Sequence, residues 1–142
     1  FITALGSWGR APRSVSLIRI GAHAYGAFVQ DGTTNFGETS TAAVLLAERG
    51  ADVSMVAEFS AFGSDNSGNC HVDKEEPWNT VPCYEVTTKI RVDRRGAGPL
   101  WDLIISRVRT EQGTPPQATR RRLRFNGNVY TDVVPAAARP RK

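Results

Sequence analysis

The chain has 142 residues, 40% hydrophobic and 23% charged, with a formal net charge of +4. That is enough for one packed core and too little for two ordinary domains, and the composition excludes a mostly disordered chain. No apolar run approaches the roughly 18 residues that a membrane-spanning helix needs. Residues 1–134 are expected to form a single globular domain, and the Pro-, Ala- and Arg-containing stretch 135–142 a frayed tail.

Phe1–Arg13 reads as an irregular lead-in around Trp8, and a start at Phe1 rather than Met points to a removed leader or a chain that begins late. Two short strand-like runs follow, Ser14–Ile20 and His23–Gln30, with Tyr25, Ala27 and Val29 on one face and a turn at Asp31-Gly32. Thr39 or Ser40 can cap a helix through Ala42, Leu45, Leu46 and Arg49 that stops at Gly50, although a strand is the alternative. Val53, Met55, Ala57, Phe59 and Ala61 alternate with polar neighbours and Val56, which predicts a strand with those five residues inward.

Gly63–Pro82 is the longest loop, with Cys70, Trp78 and Pro82 as fixed points and Cys83 just beyond. Two cysteines flanking a polar loop predict a Cys70–Cys83 disulfide, worth roughly 3 kcal/mol by loop entropy. The adjacent Cys70-His71 pair does not match zinc-ligand spacing, so no metal is expected, and no cofactor motif is present. The following stretch, Cys83–Asp93, is the clearest strand: Tyr84, Val86, Thr88, Ile90 and Val92 form a buried face, and Glu85, Thr87, Lys89, Arg91 and Asp93 a wet one.

Pro99–Val108 fits a helix by its Leu100, Trp101, Ile104, Ile105 and Val108 spacing and a strand by its β-branched content, and Pro115-Pro116 breaks what precedes it. Arg120–Phe125 and Asn128–Val134 flank Asn126-Gly127, the signature of a two-residue type I′ hairpin. That turn sets Phe125 opposite Asn128, Leu123 opposite Tyr130 and Arg121 opposite Asp132, leaving Arg120, Arg122 and Arg124 on a basic second face. The expected fold class is thus α+β or mainly β, an antiparallel sheet or barrel of about six strands with one or two short helices.

Charge is distributed unevenly: residues 1–88 carry 5 Lys and Arg against 10 Asp and Glu, and residues 89–142 carry 13 against 4. Such asymmetry points to a macromolecular partner met through a basic face, whether protein, glycan or nucleic acid, or to head-to-tail self-association. The leading expectation is a small exported binding or assembly module that uses the disulfide-pinned loop with Trp78 and an Arg surface of Arg94, Arg95, Arg120, Arg122 and Arg124. Arg suits such a surface because its planar fork makes paired hydrogen bonds.

The competing expectation is a secreted enzyme or toxin acting on RNA or a nucleotide, with Glu85, Arg19 and His23 as the groups available for catalysis. Glu85 after Tyr84, the Arg120–Arg124 run and Val129–Asp132 resemble the layout of barnase-like guanyl ribonucleases, with Val133 and Val134 where that layout has a His. Arg19, Ser40-Thr41 and Glu85 resemble the parts of an ADP-ribosyltransferase, at a shorter Arg-to-Ser spacing. A self-assembling structural subunit is the third expectation.

Overall fold

A computed structural model describes residues 11–71, 80–96 and 98–133. These form β1 Ser14–Arg19, β2 Tyr25–Asn35, β3 Glu38–Arg49, β4 Asp52–Asp65, β5 Tyr84–Asp93, β6 Asp102–Glu111, β7 Thr114–Phe125 and β8 Tyr130–Asp132, with no helix among the described residues. Each strand pairs antiparallel with its neighbour in the chain, giving one open eight-stranded sheet. The fold is therefore mainly β. The two segments that read as helices are the two strands missing from the expected six.

The reason lies in side-chain period. In β3, Ala43, Leu45 and Ala47 are all buried in the core, so the Ala- and Leu-rich run obeys the strand period of two as well as it obeys the helical one. Pairing on both sides, with β2 and β4, satisfies its backbone and decides the outcome. In β6, Leu103 and Ile105 enter the core by the same alternation, and the β-branched residues fit the pleated surface.

Several turns differ from expectation. β2 runs straight through Asp31-Gly32, with Gly32 opposite Thr41, and the hairpin turns at Phe36-Gly37 instead. Both turn residues have positive φ, 48° and 77°, the type I′ geometry. At the β7–β8 hairpin, Asn126 N donates to Val129 O at 3.1 Å and the Asn126 side chain accepts from the Asn128 and Val129 amides, so the loop has four residues. Phe125 then pairs with Tyr130 and Leu123 with Asp132, a shift of two that keeps every side chain on its expected face. Pro115 and Pro116 lie within β7, in the register shift between Arg109 and Glu111, where neither is called on to donate a ladder hydrogen bond.

β4 carries the irregularities that shape the molecule. One bulge between Leu45 and Leu46 of β3 sends both Val56 and Ala57 inward, which leaves Val53 and Met55 exposed on the outer face rather than inside. A second, larger one opposite Thr41–Ala43 lets Phe59 and Phe62 pack against the core while Ala61 stays exposed. β4 then meets β5 only at Ser64↔Val86 and Asp65↔Glu85. The sheet is thereby two four-stranded meanders, β1–β4 and β5–β8, joined by a short seam.

Their inner faces share one core. Phe28, Leu45, Val56 and Ala57 from the first half cluster with Leu103, Ile105, Leu123 and Tyr130 from the second. Phe28 stacks edge-on against Phe62 at 5.3 Å between ring centroids. Each of the larger aliphatic side chains and Phe28 contributes roughly 1.5–3 kcal/mol on burial. The end away from the seam is tied by Trp101 N donating to Ile20 O at 2.7 Å and by Arg49, whose guanidinium donates to Gly127 O at 3.0 Å and to the Asn128 side chain at 2.5 Å.

Candidate functional site

The connection from β4 to β5 is built on Asn66, a buried side chain in a polar segment. Its Oδ1 accepts from Tyr84 N at 2.7 Å, its Nδ2 donates to Pro82 O at 2.9 Å, and its carbonyl accepts from Asn69 N and Cys70 N. Every polar group of that side chain is used, which offsets the cost of burying it. Cys70 and Cys83 form the expected disulfide, and His71 bridges to Val81 through paired backbone hydrogen bonds. Trp78 lies outside the described residues.

The β2–β3 hairpin tip is fastened onto this loop. Gly68 N donates to Gly37 O at 3.0 Å, and a Cβ on Gly37 would fall 2.4 Å from the Gly68 carbonyl, so the backbones touch where no side chain fits. Phe36, next in the tip, is 89% exposed. A bulky residue at positive φ is strained, and here the strained residue is an aromatic ring held out in water.

Around the tip the surface is acidic. Tyr84 donates its hydroxyl to Glu38, which raises the Tyr84 pKa, and the Arg109 guanidinium lies 4.8 Å above the Tyr84 ring. Arg109 is itself paired with Glu111 at 2.7 Å. Asp65 accepts from the Ser67 hydroxyl at 2.6 Å and from its amide, bonds that lower the Asp65 pKa. A shallow groove runs beside the disulfide between Asp65, Tyr84, Glu85 and Glu111.

The Arg surface is different from a free basic patch. Asp93 and Asp102 face each other across β5 and β6 and are only 6% and 3% exposed, although the alternation of β5 assigns Asp93 to the wet side. Arginines cover them. Arg122 reaches Asp93 at 2.8 Å and Asp102 at 3.3 Å, Arg124 donates twice to Asp102 at 3.1 and 3.2 Å, and Arg95 forks onto Asp93 at 3.0 and 3.2 Å. The Arg95 guanidinium above all, with Arg122 behind it, holds the Asp93 pKa down at about 2. Arg120, opposite Ser106, makes no ion pair among the described residues. Arg94 and Arg19 each place a guanidinium 5.7 Å from the Trp101 ring.

The residues available for catalysis are not gathered. Glu85 is exposed at the seam, where its carboxylate accepts from the Thr87 hydroxyl at 3.1 Å. Arg19 ends β1 and bonds the Gly21 and Ala22 carbonyls, and His23 is exposed in the turn that follows. That turn belongs to the end where Ile20 meets Trp101, and the run from Glu85 to Asp93 that separates it from Glu85 is about 26 Å of extended chain.

No protein-family profile, curated protein or solved structure matches this chain. Of the features at the loop end, Phe36 and Asn66 are the ones the sequence reading misses. Asn35-Phe36-Gly37 does carry a hairpin signal, but the stronger Asp31-Gly32 dipeptide four residues earlier masks it.

Proposed function

We propose that the protein is an exported binding module that presents Phe36 and the disulfide-pinned loop 66–83 to a protein partner. The observation that carries this reading is the strained, solvent-held Phe36 ring on a hairpin tip fastened to the loop by the Gly37–Gly68 contact. An exposed aromatic on a rigid support is what an interface hot spot requires, because it enters a partner's pocket with little further loss of freedom. The disulfide supports an oxidising compartment.

The loop end favours protein over nucleic acid. Glu38, Asp65, Glu85 and Glu111 lie around it and would repel phosphate, while Arg95, Arg122 and Arg124 are engaged with Asp93 and Asp102. Arg120 and Arg94 are left to supplement the contact from a distance.

The test is photo-cross-linking with p-benzoylphenylalanine at position 36, in extract of the producing organism, against the same group at Val108, an exposed position on the outer face of β6. A single adduct from position 36 alone, retained at about 200 mM salt and lost in the Cys70→Ser/Cys83→Ser variant, is the expected result. Equal labelling from both positions would overturn the reading. A band shift with total RNA at about 50 mM salt that vanishes at about 200 mM would replace it with nucleic-acid binding.

A further inference from the structure

A cleft of about 480 Å³ opens between β4 and the inner face of β5–β8. Its origin is the short seam. Past Ser64↔Val86 the two strands separate, and the large β4 bulge swings residues 59–62 away to form one wall. The volume is within the range of small-molecule sites.

The floor is graded by register. Leu123, Ile105 and Tyr130 make its deep part, and Phe59 and Phe62 face them from β4. Toward the seam the same inner face changes character: Thr88, Arg107 and Thr119 lie in one cross-strand row, Thr88 opposite Arg107 and Arg107 opposite Thr119. All three line the cleft. An apolar end and a cationic, hydroxyl-bearing end thus stand in one cavity.

Two observations indicate what this end receives. Arg121 also lines the cleft, but it is neutralised by Asp132 through bonds of 2.9 and 2.5 Å, whereas Arg107 has no ion-pair partner among the described residues. Thr88, which lines the cleft beside Arg107, has its Oγ1 buried with no hydrogen-bond partner. The only other carboxylate at the rim, Glu58, alternates with Phe59 onto the far face of β4.

We propose that this cleft binds a small amphipathic carboxylate, its apolar body between Phe59, Phe62 and Leu123 and its carboxylate on Arg107. The guanidinium fork matches a carboxylate with two parallel hydrogen bonds at the open end of the cleft, while the apolar body is sheltered deeper in. This site is separate from the loop end and independent of the function proposed there.

The test is displacement of the neutral apolar fluorophore N-phenyl-1-naphthylamine by laurate and by dodecanol, which differ only in the head group. Laurate is expected to compete about tenfold better, the equivalent of one charge-assisted hydrogen-bonded contact. Arg107→Gln should abolish that preference, and Arg120→Gln, a charge loss on the outer face, should leave it. Thr88→Val should raise the denaturation midpoint and weaken laurate severalfold, opposite effects that a purely structural residue would not show. Failure of the fluorophore to bind would mean the cleft is no ligand site. Equal competition by laurate and dodecanol, or a preference that survives Arg107→Gln, would refute the carboxylate assignment.

Discussion

Phe36 illustrates a residue whose conformation and exposure both oppose stability. A side chain in the left-handed region costs roughly 1–2 kcal/mol, and only Gly, Asn and Asp tolerate it well. Phe36→Asn is expected to stabilise the protein by about 1 kcal/mol in urea denaturation while weakening the partner interaction, a separation of the two properties that a packing role would not allow. Asp93 gives the pH dependence at the same scale. Its folded pKa of about 2 lies below the ordinary aspartate value, so its contribution to stability is complete above about pH 4 and is lost as pH falls toward 2. Asp93→Asn should be less stable than the parent at pH 6, and the gap should narrow steadily in denaturation curves taken at pH 4, 3 and 2.

At the scale of elements, the β5–β6–β7 surface is held by charge as well as by core packing. Asp102→Asn leaves Arg124 facing a neutral group and Arg122 with Asp93 alone, and is expected to cost about 2 kcal/mol, less than a fully enclosed pair because both arginines stay partly in water. Arg120→Ala should cost under about 0.5 kcal/mol by the same measurement.

Legibility in the sequence follows physical lines here. β5 is readable nearly to its ends because alternation and β-branched content agree, and the disulfide is readable from two cysteines around one loop. β3 and β6 are not, since Ala- and Leu-rich or Ile-rich runs carry both periods and only the neighbouring strands select one. The two β4 bulges leave no local signal, so plain alternation places Val53 and Met55 inward where the structure turns them out. Three arginines in alternation look like a free basic face because Asp93 and Asp102, nine residues apart in the chain, meet only through strand pairing. The cleft is invisible for the same reason: Thr88, Arg107 and Thr119 come from three strands.

For the whole molecule, the two halves of the sheet are joined by the short seam, the shared core and the one connection beside the seam. The Cys70–Cys83 link closes a short ring beside the seam, and its reduction is expected to cost about 3 kcal/mol and to lower the melting temperature by roughly 10 °C in calorimetry. Strands that pair only with their chain neighbours carry a further consequence. Each meander contains all of its own hairpins, and both cysteines belong to the one connection between the meanders. A protease that cuts between Cys70 and Cys83 therefore produces two complete four-stranded pieces that are still covalently joined. On a denaturing gel such a nicked protein should run as one band without reductant and as two with it. In the folded state the shared core would still hold the two pieces together, so parting them takes reduction and unfolding at once.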